Sequence, residues 1–207
     1  MIVIVDYGMG NTASILNMIQ RAGGEAIVSS SLKDINTATK LILPGVGAFD
    51  NAICKLQQSG IAKALAHRLR QDRIPFLGIC LGMQLLFNSS EEGSLPGLGL
   101  LSGSVRRFAG SAFEAGKLKI PHMGWNVVHP VPRCTIFEGL QPNPRFYFVH
   151  SYHVVCDSGN TVAATCTYGF PFTCAVCQDN IWAVQFHPEK SHKFGMQIFG
   201  NFLNQVC

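Results

Sequence analysis

Three stretches of the sequence carry groups that could make and break a covalent bond. Cys80 sits at the centre of PFLGICLGMQLLF (residues 75–87), between Gly78 and Gly82. Gly-x-Cys-x-Gly is the cysteine form of a nucleophile elbow, a sharp strand-to-helix turn that needs small neighbours to lift one side chain above a sheet edge. A free thiol, with a pKa of about 8.5, is mostly protonated at neutral pH. A helix N-terminus or an imidazole nearby would favour the thiolate. A buried structural cysteine is the plain alternative, and the glycine bracket argues against it.

A cysteine nucleophile needs a base, and the base needs an orienting acceptor. His187-Pro188-Glu189, at the end of the strand-like run IWAVQF, supplies both. On an extended backbone, residues two apart face the same way, which predicts His187 and Glu189 side by side. The third stretch is Pro44-Gly45-Val46-Gly47. A strand ending in this loop exposes backbone N–H groups with few side chains in the way. One of them, with the N–H of Leu81, could bind the oxygen of a tetrahedral intermediate, and one such donor lowers a barrier by about 2.7–4 kcal/mol.

Positioning these groups requires alternating strands and helices. Apolar runs predict strands at 2–5, 25–28, 40–43 and 74–79. Helical spacing predicts a helix through Ile15, Met18, Ile19 and Ala22 that stops at Gly23-Gly24, and helices at 49–59 and 61–72. Good helix formers follow the elbow at 83–87. From Leu100 onward, short β-rich segments divided by Gly, Pro and Asn suggest that the sheet becomes mixed. Phe146, Phe148 and Trp125 read as core aromatics. Phe194, Ile198, Phe199 and Phe202 mark a closing helix with Ser191 as its N-cap. The turn Asp6-Tyr7-Gly8-Met9-Gly10-Asn11 lacks the third glycine of a dinucleotide-binding pattern. Cys174 and Cys177, three apart on a strand, are expected on opposite faces and make no zinc site.

Composition bounds the reading. The chain has 207 residues, 47% of them hydrophobic, enough for one sizeable α/β core. Eight cysteines without an expected signal peptide suggest a reducing cytoplasm rather than a disulfide framework. A formal net charge of +4 from scattered Lys and Arg gives no support to a nucleic-acid or membrane role.

GICLGMQ, PGVGAF and QFHPEKS together resemble the class I (triad) glutamine amidotransferases. PHMGWN (121–126) and FYFVHSY (146–152) narrow the likeness to the glutaminase subunits of imidazole glycerol phosphate synthases. The resemblance covers nearly the whole chain as one domain, 1–207. It implies a flavodoxin-like three-layer α/β fold, with a mostly parallel central sheet and an added antiparallel β region. It also implies that Cys80 attacks the side-chain amide of glutamine to form a γ-glutamyl thioester. His187, oriented by Glu189, would protonate the departing ammonia and then activate water.

By the same resemblance, Val46, Gly47 and Leu81 form the oxyanion hole, and Gln84, Glu92, His150, Ser151 and Tyr152 hold glutamine. Asn11, Trp125 and Lys190 would lie against a (βα)8-barrel cyclase subunit that receives the ammonia in a heterodimer. No cofactor and no metal are implied. The oxyanion strand of such enzymes tends to be misoriented until the partner is liganded, so the isolated chain is expected to be nearly inactive. Related glutaminases feed a sugar-aminating partner in surface-glycan synthesis, which is one alternative. A stand-alone cysteine hydrolase and a catalytically silent regulatory subunit are two others.

Overall fold

The structure is a computed structural model and describes residues 1–205. Strand β1 (Ile2–Val5) leads through a glycine-rich turn into α1 (Thr12–Arg21), and β2 (Ala26–Ser29) follows. Helix α2 (Leu32–Thr37) precedes β3 (Lys40–Leu43), and α3 (Phe49–Gln58) and α4 (Ile61–Arg70) then lead to β4 (Phe76–Ile79) and α5 (Leu81–Gln84). The next elements are β5 (Ser89–Ser90), β6 (Gly103–Arg107), α6 (Ser111–Glu114), β7 (His122–Pro130) and β8 (Arg145–His150). Strands β9 (Tyr152–Cys156), β10 (Val162–Tyr168), β11 (Phe170–Gln178) and β12 (Ile181–Val184) precede the closing helix α7 (His192–Leu203).

The order β2-β1-β3-β4-β12 is parallel throughout, which is the flavodoxin-like order 2-1-3-4-5. Beyond β12, the sheet continues antiparallel through β11, β10, β7 and β8. Strands β5, β6 and β9 branch from β11. Side chains alternate across the buried parallel strands and so build two cores. Ile2 and Ile4 face Ile15 and Ile19 of α1 and Phe199 and Phe202 of α7, whereas Val3 and Val5 face Ile53 and Leu56 of α3 and Leu65 of α4. Each fully buried side chain of this kind contributes about 1.5–3 kcal/mol.

Two local expectations are corrected, and one helix was not anticipated. Helix α2 has six residues and buries only Ile35, too little periodicity to announce it. The elbow helix ends at Gln84 instead of running to Phe87. The loop after it takes its place: Leu98 N–H donates to the Leu85 carbonyl and Leu100 N–H to the Leu86 carbonyl, each at 2.8 Å. Strand β11 is bulged, with Thr173 opposite Thr165 but Ala175 opposite Ala164. The extra residue reverses the alternation, so Cys174 and Cys177 pack against the same core and not opposite ones. Among the described residues, no group of three or more His, Cys, Asp or Glu side chains is arranged to hold a metal ion, and no helix is long and apolar enough to cross a membrane.

Candidate active site

Cys80 follows β4 directly and adopts φ 54° and ψ −112°. A non-glycine residue held at positive φ carries strain on the order of 1–3 kcal/mol and persists only where its surroundings dictate it. Here the Cys80 N–H donates to the Val184 carbonyl of β12 at 2.8 Å. Gly82 lets the elbow sit against the end of β3, since a Cβ there would stand 2.0 Å from the Leu43 carbonyl oxygen. Gly82→Ala is therefore expected to cost about 1–3 kcal/mol and to slow alkylation of Cys80 by iodoacetamide. An unchanged melting curve and alkylation rate would show that the elbow has slack.

His187 is tied to β8 from two sides. Its N–H donates to the Tyr147 carbonyl at 2.9 Å, and its own carbonyl accepts from Ser191 Oγ at 2.6 Å. That same Oγ accepts the Tyr147 N–H at 3.1 Å. Ser191 thus precedes α7 as expected, but its hydroxyl is spent on this junction and makes no capping bond. The backbone after His187 is also not extended: Pro188–Lys190 forms a 3-10 turn. The turn still brings Glu189 Oε1 to 2.8 Å from His187 Nδ1, with both side chains 2% exposed. Helix α7 clamps the turn, because a Cβ at Gly195 would lie 1.7 Å from the Pro188 carbonyl oxygen.

Donation from Nδ1 to Glu189 leaves His187 Nε2 as the ring atom available to the thiol. Among the described residues Nε2 makes no well-aligned hydrogen bond, yet Cys80 lies close enough to favour a proton on the ring. Burial disfavours a charge on the imidazole, but Cys80 and then Glu189 outweigh it and raise the His187 pKa to about 10.

Cys80 and His187 line a cavity of about 330 Å³, within the size range of small-molecule sites. Val46, Gly47 and Leu81 line it on one side, and Gln84, Glu92, His150, Ser151 and Tyr152 also reach it. Pro121 and Val149 complete the lining and were not anticipated. The Leu81 N–H donates to the Gly45 carbonyl at 3.3 Å, so this candidate oxyanion donor is engaged by the loop that should share its task. Tyr7 anchors that loop, its hydroxyl donating to the Pro44 carbonyl at 2.9 Å. Burial raises the Tyr7 pKa and keeps the phenol a donor.

Glu92 accepts the Phe49 N–H at 3.1 Å, and partial burial raises its pKa. Gln84 Nε2 donates to the Tyr152 carbonyl at 3.2 Å and to Gln185 Oε1 at 2.9 Å. Gln185 Nε2 in turn lies 3.6 Å from Cys80 Sγ. Sequence reading missed Gln185 and Tyr7 as supports of the site. The polar Gln185 inside the apolar run IWAVQF was a usable signal for the first, whereas nothing marked Tyr7.

The three residues expected at a partner surface lie outside this cavity. Trp125 is 39% exposed and not a core residue. It stacks on His192 with centroids 5.3 Å apart and lies 6.1 Å from Tyr147, because β7 turns this side chain outward. Lys190 Nζ sits 5.6 Å from the same Tyr147 ring. Lys190 also lines a second cavity with Glu189, Arg21 and His192, directly behind the His187–Glu189 pair. Asn11 caps α1, its side-chain oxygen accepting the Ser14 N–H at 3.4 Å, and lines neither cavity.

Comparison with known proteins agrees with this geometry. Residues 3–206 match the family model described as glutamine amidotransferase class-I. The imidazole glycerol phosphate synthase subunit HisH 2 of Methanococcus maripaludis is 50% identical over 206 residues, covering 100% of both chains. The protein of the same description from Pseudomonas aeruginosa is 48% identical over 206 residues with the same coverage. Among solved structures, PurLQS from Thermotoga maritima superposes with a TM-score of 0.74 at 18% identity, covering 98% of this chain and 97% of that one, a likeness of fold. Fold, elbow geometry and family match converge: the chain belongs to the class I glutamine amidotransferases.

Proposed function

We propose that this chain is the glutaminase subunit of an imidazole glycerol phosphate synthase, working as one domain in the cytoplasm. It passes ammonia from glutamine to a (βα)8-barrel cyclase subunit. The observation that carries the reading is a cysteine on a strained elbow in the same cavity as a histidine whose Nδ1 is held by a buried glutamate. Nearly full-length identity to relatives described as synthase subunits supports the choice of pathway.

In the mechanism, His187 holds the proton of Cys80, and the thiolate attacks the side-chain carbonyl carbon of glutamine. The resulting oxyanion takes backbone N–H donors from Leu81 and from Val46 or Gly47. His187 Nε2–H protonates the departing nitrogen, ammonia leaves, and a γ-glutamyl thioester remains. Neutral Nε2 then removes a proton from water, which attacks the thioester and releases glutamate. Gln84, Glu92, Ser151 and Tyr152 hold the amino-acid end of the substrate. The exposed group of Trp125, Lys190 and His192 faces the partner, and Asn11 is assigned to that interface by the family resemblance.

The bond from Leu81 N–H to the Gly45 carbonyl must open before the oxyanion hole is complete. A partner that favours the opened loop raises turnover by its differential affinity for that state. Glutamate release by the chain alone is therefore expected to be slow, and to rise on the order of tenfold or more with the cyclase subunit and its ligand. Release that responds only to a sugar-aminating partner would move the assignment to surface-glycan synthesis. Fast release that ignores every partner would make the chain a stand-alone hydrolase.

A further inference from the structure

One wall of the glutamine cavity is held by a hydrogen-bonded pair of buried histidines. His122 on β7 and His150 on β8 are direct cross-strand partners, 3% and 6% exposed. His150 Nδ1 lies 2.7 Å from the Tyr152 carbonyl, and His150 Nε2 lies 3.0 Å from His122 Nδ1. His122 Nε2 lies 3.3 Å from Asn126 Nδ2.

The protons in this chain have one consistent arrangement. Asn126 Oδ1 accepts the Val127 N–H at 2.8 Å and Nδ2 donates to the Thr167 carbonyl at 2.9 Å, so the backbone dictates which way the amide points. Its second N–H then meets His122 Nε2, which must accept. His122 therefore carries its proton on Nδ1 and donates to His150 Nε2, and His150 carries its proton on Nδ1 and donates to the Tyr152 carbonyl. Both rings are neutral in this arrangement. Burial favours that state, lowering the His122 pKa to about 4 and that of His150 to about 3. Stacking of His122 on Phe148 (4.8 Å) and Tyr168 (4.1 Å) holds the ring in place.

The Tyr152 carbonyl that ends this chain also accepts from Gln84, whose amide leads through Gln185 to Cys80 Sγ. The geometry points to His122 and Asn126 as positioning residues for glutamine binding: by fixing His150 as the neutral Nδ1–H tautomer, they hold the Ser151–Tyr152 wall of the cavity. This inference rests on the reading of that cavity as the glutamine site. His122 does not line the cavity, so any effect it has on substrate must pass through His150.

The test combines kinetics of the synthase complex with a tautomer measurement on the chain itself. His122→Phe keeps an aromatic ring between Phe148 and Tyr168 but removes the donor to His150. It is expected to raise KM for glutamine about tenfold, the loss of one buried hydrogen bond, with kcat within about twofold. His122→Asn places an amide N–H near the lost Nδ1–H and is expected to recover most of the KM. In the wild-type chain, 15N NMR of labelled histidine at pH 7 is expected to show His150 and His122 as neutral Nδ1–H tautomers. An unchanged KM in His122→Phe, no recovery in His122→Asn, or a charged or Nε2–H His150 in the wild type overturns the inference. A wild-type complex that releases no glutamate from glutamine would defeat the glutamine reading instead, and the tautomer result would still stand or fall by itself.

Discussion

Replacing Cys80 by alanine is expected to abolish glutamate release, by about 10⁴-fold or more, the scale on which triad enzymes lose turnover without their nucleophile. The complex should still make product from added ammonium, because the substitution leaves the cavity walls, the His187–Glu189 pair and the partner surface in place. The fold should tolerate the change. Cys80 has only its sulfur to lose, the backbone bond to Val184 is independent of the side chain, and alanine keeps the same Cβ at the same φ. Gln185 Nε2 would lose its sulfur acceptor, a small cost beside the chemistry removed. Both activities are to be measured on one preparation. Loss of the ammonium-dependent activity as well would mean that Cys80 supports structure, and retained glutamate release would place the nucleophile elsewhere.

Glu189→Gln should be nearly as damaging for a different reason. The carboxylate only accepts, so it selects the tautomer with the proton on His187 Nδ1 and leaves Nε2 as the base. A glutamine can turn its amide N–H toward Nδ1 and so put the proton on Nε2, the wrong atom for accepting from the thiol. The expected loss of kcat is about 10⁴-fold, as when the triad acid is replaced by its amide.

The charge matters as well as the tautomer. Burial disfavours the imidazolium, Cys80 favours it, and Glu189 adds to Cys80 to hold the pKa near 10. Without the carboxylate, the basic limb of the pH profile of Cys80 alkylation should move to lower pH. The linked effect on stability has a definite sign. A histidine whose folded pKa lies above its ordinary value of 6.5 adds stability that is fully present below about pH 6.5 and is lost as pH rises toward about 10. The variant should therefore show a smaller change in melting temperature across that window. Identical alkylation profiles for wild type and variant would show that Glu189 does not tune the pair.

Much of the site was legible because its parts are local. An elbow is announced by Gly78, Cys80 and Gly82, since only small residues fit where the turn meets β3 and β12. The five short strands of the parallel sheet were visible as apolar runs; β1, β3, β4 and β12 are apolar because both of their faces are covered, and β2, at the sheet edge, is half-buried. The pairing of His187 with Glu189 was anticipated from an extended backbone that does not exist. The 3-10 turn reached the same result by another route, because Tyr147, Ser191 and Gly195 bend the chain around Pro188.

Elements without a local period were silent. Helix α2 carries one buried residue, and the helix-forming run after the elbow stops early because a distant loop takes its carbonyls. Residue types, spacing and hydrophobic pattern alone indicated which groups could react and that a parallel sheet carries them, since those properties depend on neighbours a few residues apart. Contacts between residues far apart in the chain decided the rest. These are the Gly45 carbonyl against Leu81, Gln185 beneath the thiol, Trp125 turned outward, the bulge that reverses β11, and the one-way proton chain from Asn126 to Tyr152. Each depends on strand order and register, which leave no local trace.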